Sequence, residues 1–144
     1  MKRVFVDEQW CLGCHLCEYN CAYANSGADS MVKALKDRQI FPRVRVEDTG
    51  KITFALSCRH CSDPICVKGC ISGALSKGTD GAVRIDRDKC VGCFTCILLC
   101  PYGAVMAGEG GAAIKCELCL ENACGAPACV AGCPNRALVY EERG

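Results

Sequence analysis

Apolar and polar positions alternate in only a few short stretches of this 144-residue chain. Arg3 to Asp7 and Ala82 to Asp86 alternate with a period of two, the pattern of half-buried strands. Ala104-Val105-Met106 and Ala137-Leu138-Val139-Tyr140 are apolar runs of strand length, and Arg43 to Glu47 with Lys51 to Leu56 predict a β-hairpin across Asp48-Thr49-Gly50. Helical spacing is confined to Cys14 to Ala24, Cys93 to Leu99 and, more modestly, Ala28 to Arg38, which Pro42 ends. Gly108 to Ala113 reads as a flexible connection. No segment reaches 18 consecutive apolar residues, so no membrane span is expected. The pattern predicts an α+β fold of small repeated units.

Composition changes the picture, because these elements carry little core. The apolar fraction of 51% counts 17 cysteines; without them it falls to about 39%, with only four Phe, four Tyr and one Trp. One compact domain or two small half-domains of this length need another source of stability, from disulfides, metal or partner surface. Charge excludes two partner classes. The formal +1 is spread over 17 basic and 16 acidic residues with no basic run, which leaves no footprint for nucleic acid or anionic lipid. The first residues, Met1-Lys2-Arg3-Val4-Phe5-Val6-Asp7, hold too short an apolar run for a signal peptide. A cytoplasmic location is expected, where disulfides are disfavoured.

The cysteines form four runs: Cys11-x2-Cys14-x2-Cys17-x3-Cys21, Cys58-x2-Cys61-x4-Cys66-x3-Cys70, Cys90-x2-Cys93-x2-Cys96-x3-Cys100-Pro101, and Cys116-x2-Cys119-x9-Cys129-x3-Cys133-Pro134. Cys124 lies in the long gap of the fourth. An odd count and repeated two-residue spacing oppose disulfides. Zinc wants two well-separated Cys-x2-Cys pairs. Three thiolates at two-residue steps instead wrap a cubane, while a fourth, three residues later and followed by proline, serves a second cluster. Iron-sulfur is therefore the reading. The runs must act in pairs, and spacing alone leaves the pairing open. Cys124 competes with Cys129 as a ligand, and the Cys129-x3-Cys133-Pro134 ending favours Cys129, leaving Cys124 a non-ligand. Cys70 is followed by Ile71 where proline is usual, so a looser turn is expected there.

Four runs in this order resemble the four-cluster polyferredoxin electron-transfer subunits of multi-subunit oxidoreductases. The most specific segments are Cys58-Arg59-His60-Cys61-Ser62-Asp63-Pro64-Ile65-Cys66, Asp88-Lys89-Cys90-Val91-Gly92-Cys93, Cys100-Pro101-Tyr102-Gly103-Ala104 and Lys115-Cys116-Glu117-Leu118-Cys119. That family includes small subunits attached to molybdenum and tungsten enzymes, formate-linked hydrogenases and carbon monoxide dehydrogenase. The resemblance implies four 4Fe-4S clusters, with the first run paired to the fourth and the second to the third. One cluster would take Cys11, Cys14, Cys17 and Cys133, and its neighbour Cys116, Cys119, Cys129 and Cys21. The other half would place Cys58, Cys61, Cys66 and Cys100 on one cluster and Cys90, Cys93, Cys96 and Cys70 on the next. It also implies two bacterial dicluster ferredoxin-like halves in a pseudo-twofold relation. The first comprises residues 1–57 and 109–144, with an insertion over 22–57 that contains the hairpin; the second comprises residues 58–108. The insertion is a flap over the clusters or a docking surface.

Clusters saturated by four thiolates exchange electrons without binding substrate, and with sixteen cysteines used no catalytic constellation remains. The expected role is a non-catalytic wire between a cytoplasmic oxidoreductase subunit and a second redox protein, a ferredoxin or a flavin- or NAD-linked subunit, in anaerobic metabolism. Carbon monoxide dehydrogenase and tungsten aldehyde oxidoreductase lead as catalytic partners, followed by formate dehydrogenase or hydrogenase assemblies; end-to-end self-association is a further option. The alternatives are a redox-sensing or structural iron-sulfur module and a freely diffusing polyferredoxin. His15 and His60 are expected to be partly exposed beside clusters. Trp10 is expected to pack over the first, and Arg59, Lys68, Lys89 and Lys115 to be solvated charges next to ligands, with raised potentials of nearby clusters as the alternative.

Overall fold

The computed structural model describes residues 2–36, 39–120 and 127–142. Along the chain lie β1 (Arg3–Val6), α1 (Leu16–Ala24), α2 (Met31–Leu35), β2 (Arg45–Asp48), β3 (Thr53–Leu56), α3 (Ile65–Lys68) and β4 (Leu75–Lys77). Then follow β5 (Val83–Ile85), α4 (Thr95–Leu99), β6 (Met106–Ala107), β7 (Ala113–Ile114), α5 (Ala128–Ala131) and β8 (Leu138–Glu141). The described strands form four antiparallel pairs: β1 with β8, β2 with β3, β4 with β5, and β6 with β7. No helix among the described residues is long and apolar enough to cross a membrane.

Where elements are shorter than their sequence pattern, the backbone has been diverted to cap or to bind sulfur. The residues preceding α1 and α4, His15 (φ 64°) and Phe94 (φ 57°), are left-handed, so each helix starts after the second cysteine of its run rather than at it. Helix α2 covers only part of the span from Ala28, because the Ser30 hydroxyl accepts the Lys33 N–H at 3.3 Å and caps a late start. Ala104 and Val105 are buried but lie outside a strand, since the Ala104 N–H donates to Cys100 Sγ at 3.4 Å. The connection from Gly108 to Ala113 is ordered: Glu109–Gly111 form a 3-10 turn, closed by the Gly108 N–H donating to the Ala112 carbonyl at 2.8 Å. Gly110 and Gly111, at φ 79° and 83°, make that reversal without a Cβ penalty.

Two small cores replace one large one. In the first, Cys17, Cys21 and Cys129 pack with Val44, Ala55 and Leu138. In the second, Cys96 packs with Leu75, Val83, Val105 and Ala113. Cysteine is thus part of each core as well as its chemistry. The β2–β3 pair belongs to the first core through Val46 and Ala55, with Val44 just before β2, and the Thr53 hydroxyl donates to the Cys11 carbonyl at 2.8 Å, which ties this pair to the start of the first run.

Short helices pack in pairs through a glycine. A Cβ on Gly69, at the end of α3, would lie 2.2 Å from Leu99 Cδ1 on α4; one on Gly132, at the end of α5, would lie 2.2 Å from Asn20 Nδ2 on α1. Run two is thereby apposed to run three, and run four to run one. A different constraint acts at Gly92, which is left-handed (φ 76°) and whose added Cβ would meet the Gly111 carbonyl oxygen at 2.7 Å. Gly92→Ala is expected to lose roughly 2–4 kcal/mol, from overpacking against backbone and from left-handed strain. Gly50→Ala, with nothing within 4 Å at φ 84°, should lose only the strain component. Denaturant titration of the two anaerobically prepared variants checks the difference.

Candidate metal centres

Each of the four runs bends left-handed at the residue just before its second cysteine: Gly13 at φ 67°, His60 at 45°, Gly92 at 76° and Leu118 at 60°. In runs two and four the residue at the bend also donates its N–H to the first sulfur. His60 donates to Cys58 Sγ at 3.3 Å and Leu118 to Cys116 Sγ at 3.4 Å. Both side chains are fully buried, and this packing holds a conformation that costs a non-glycine residue about 1–2 kcal/mol. Further donors reach Cys21 from the Arg43 N–H (3.1 Å), Cys90 from the Ala113 N–H (3.5 Å) and Cys93 from the Thr95 hydroxyl (3.5 Å). Such bonds favour a sulfur that carries negative charge.

Three cavities of similar size are each walled by four thiols. One is lined by Cys11, Cys14, Cys17 and Cys133, with Val46, Ala55 and Leu138 behind them. A second is lined by Cys70, Cys90, Cys93 and Cys96, and a third by Cys58, Cys61, Cys66 and Cys100. The remaining thiols also stand together: Cys129 feels the charges of Cys116, Cys21 and Cys119, and Cys21 that of Cys119. Among the described residues no three His, Cys, Asp or Glu side chains converge on a point that would hold a single metal ion. The thiols ring open space instead, with apolar walls and N–H donors at the sulfurs, a donor set that fits a polynuclear iron-sulfur group. None of the sixteen described cysteines is in a disulfide.

Burial decides the electrostatics of these thiols. It pushes Cys17 and Cys116 up to about 12 and raises Cys129, Cys21, Cys66 and Cys96. At Cys93 the Thr95 N–H and hydroxyl lower it, and at Cys70 the donors of Leu75, Ser72 and Ala74 outweigh burial and do the same. Buried thiols of this kind are protonated in a metal-free chain, so metal binding must expel their protons and is coupled to pH.

The turn after Cys70 is not looser than its counterparts. Gly73, Gly103 and Arg136, each three residues beyond the last cysteine of its run, are all left-handed, and their N–H groups return to the carbonyls of Cys70, Cys100 and Cys133 at 3.3–3.4 Å. Gly73 supplies the reversal without the proline. A second regularity escaped the cysteine count: Pro64-Ile-Cys66-Val-Lys-Gly69-Cys70 and Pro127-Ala-Cys129-Val-Ala-Gly132-Cys133 share proline, cysteine, valine, glycine and cysteine at the same offsets. Both form a four-residue helix preceded by proline and ended by glycine. Cys129 therefore occupies the place of Cys66. Cys124 lies outside the described residues.

Several neighbours of the cysteines differ from expectation. His60 is fully buried rather than partly exposed, and its Nδ1 accepts the Val83 N–H at 2.9 Å. Burial and the cations of Lys115, Arg3 and Arg84 push its pKa down to about 3, so the ring is neutral. Lys115 is 1% exposed rather than solvated. Arg59, Lys68 and Lys89 do face solvent, with Arg59 lying over the Tyr102 ring and Lys68 paired with Asp63. His15 is exposed and contacts Glu18 at 2.9 Å. Trp10 does not pack down over the first cavity: it is 57% exposed, while its carbonyl accepts the Asn135 amide at 2.7 Å.

Residues 50–143 match the 4Fe-4S dicluster domain family. The iron-sulfur protein of Rhodospirillum rubrum is 33% identical over 151 residues, covering 94% of this chain and 79% of that protein. The electron transport protein HydN of Escherichia coli (strain K12) is 31% identical over 158 residues, covering 99% and 89%. A further relative from the same strain, "Probable anaerobic dimethyl sulfoxide reductase chain YnfG", is 36% identical over 145 residues, covering 94% and 71%. Two longer Escherichia coli relatives are each 36% identical, and the chain spans only 21% and 22% of their lengths.

Serine at Cys124 is expected to leave the iron content of anaerobically purified protein unchanged, and serine at Cys129 to lower it. Metal analysis of the two variants beside the parent checks the assignment, and the opposite pattern would make Cys124 the ligand.

Proposed function

The chain belongs to the 4Fe-4S dicluster domain family of iron-sulfur proteins, and from that premise we propose that it is a non-catalytic electron-transfer subunit carrying four 4Fe-4S clusters as a wire between an oxidoreductase subunit and a second redox protein. The observation that carries this reading is the set of three like-sized cavities, each with four cysteines around it. A bound cluster, saturated by four thiolates, supplies reversible one-electron transfer and offers no position for substrate. The chain's part is to hold sixteen sulfurs, withdraw Cys17, Cys21, Cys96 and Cys129 from water and aim N–H groups at several of them.

The proposed ligand sets are Cys11, Cys14, Cys17 and Cys133; Cys116, Cys119, Cys129 and Cys21; Cys58, Cys61, Cys66 and Cys100; and Cys90, Cys93, Cys96 and Cys70. Each mixes three cysteines of one run with the last cysteine of its partner run, so two runs cannot be separated without dismantling both sites. The matched glycine contacts, Gly69 on Leu99 and Gly132 on Asn20, support two halves in a pseudo-twofold relation. Residues 1–57 with 109–144 form one half and residues 58–108 the other.

For a catalytic partner, the name of YnfG as a chain of an anaerobic dimethyl sulfoxide reductase supports attachment to a larger oxidoreductase. The two longer relatives carry the matching segment within a longer polypeptide. A cytoplasmic partner of the carbon monoxide dehydrogenase, tungsten aldehyde oxidoreductase or formate dehydrogenase and hydrogenase type is the proposed setting.

Anaerobically purified chain should contain about sixteen iron and sixteen sulfide, four of each per cluster. Near eight iron, one pair of sites is wrongly assigned. Reduced with dithionite, it should give broadened, interacting signals by electron spin resonance, whereas one isolated sharp signal contradicts a closely spaced wire. Removing iron with a chelator should unfold the chain, read as loss of circular dichroism.

A further inference from the structure

Among the largest fully buried side chains of the described residues is one cation, Lys115. An ammonium out of water is costly unless its hydrogens and its charge are both answered. Two of its three hydrogens are met by carbonyls: Nζ donates to Val83 and, at 2.7 Å, to Cys116. Its charge is not met by acid, since no carboxylate among the described residues forms an ion pair with it.

The surroundings of Lys115 join two cysteine runs. Val83 lies on β5, where its N–H donates to His60 of run two at 2.9 Å while its carbonyl receives Lys115 from the start of run four. The next free N–H on that strand, from Ile85, donates to Oε1 of Glu117 at 3.0 Å. One strand edge is thus held by the residue before Cys116, the residue after it, and the histidine between Cys58 and Cys61. Thiols lie on both sides: the Lys115 ammonium acts to lower Cys66 of run two and Cys116 of run four, and Cys58 and Cys116 repel one another as anions.

On the four-cluster reading above, we propose that the buried Lys115 ammonium is the shared counter-charge of the crossing between the halves, holding up the reduction potentials of the site containing Cys58, Cys61 and Cys66 and of the site containing Cys116 and Cys119. A fixed positive charge in a low-dielectric gap favours the state with one more electron on either side. Exposed Lys68 and Lys89, screened by water, do so far less. When an electron crosses, one site loses it and the other gains it, Lys115 keeps its three hydrogens, and no proton is exchanged. Because the charge acts on both, it favours entry of the electron into the pair.

The test is a dithionite redox titration of the loaded full chain, followed by electron spin resonance, with iron content measured on every sample. Lys115→Gln keeps an amide donor for the two carbonyls and removes the charge. It is expected to lower the reduced-to-oxidised ratio at fixed potential about tenfold, a shift of about 59 mV for a one-electron couple, at two of the four sites, with the other two unmoved. Lys115→Arg, which retains the charge, is expected to shift them by much less. Four unmoved couples, an equal shift at all four, or an equal effect of Gln and Arg would each overturn the proposal. If the Gln variant does not load iron, Glu117→Gln removes a negative charge beside Cys116 and should raise the couple of that site; no rise there counts against the proposal. Near eight iron in the parent overturns the four-cluster reading itself, and the crossing with it. Sixteen iron with unmoved couples overturns only the role of Lys115.

Discussion

A sulfur that must carry negative charge while withdrawn from water is the constraint around which this chain is organised. Desolvation raises six of the thiols, Cys17 and Cys116 as far as about 12, so a thiolate at those places needs positive charge from nearby. Backbone N–H groups provide part of it, those of His60 and Leu118 among them. Iron provides the rest on the proposed reading. Each cluster with its thiolates carries about −2, so the formal +1 becomes about −7 when all four are oxidised.

The two cores follow from the same constraint. With so few large apolar side chains, neither Cys17, Cys21 and Cys129 nor Cys96 can be treated as ligands placed on a scaffold that exists without them. Paired helices of four to nine residues are too short to persist alone. They gain order from glycine-mediated contact and from the sulfurs they present. The solution recurs with different residues: glycine bends runs one and three, whereas buried His60 and Leu118 bend runs two and four.

Much of this was legible in the sequence, because cysteine spacing is a direct record of where sulfurs fall on a backbone. Strands β1 and β5 and helices α1 and α4 lie within the segments that periodicity marks, and β8 runs one residue beyond its segment, to Glu141. What was not legible is whatever depends on one segment meeting another. Lys115 looks like any charged residue beside a ligand until β5 is laid across it, and His60 looks exposed until Val83 occupies its ring nitrogen. The turn after Cys70 lacks proline, yet Gly73, two positions beyond Ile71, performs the reversal. Gly108 to Ala113 reads as slack because glycine usually signals freedom, whereas here Gly110 and Gly111 close a tight turn. The shared proline and glycine around Cys66 and Cys129 were present in the letters, but attention to cysteine alone passes over them.

Exposure is uneven among the sixteen described cysteines. Cys14 and Cys93, the second members of runs one and three, are the exposed ones. Their sulfurs stand where molecules diffusing in solution can touch them, while Cys17, Cys21, Cys96 and Cys129 are walled in. Access of that kind does not discriminate between a redox partner and dissolved oxygen. On the proposed reading, the openings that would shorten an electron's path into the protein are therefore also the places at which oxidative damage would begin.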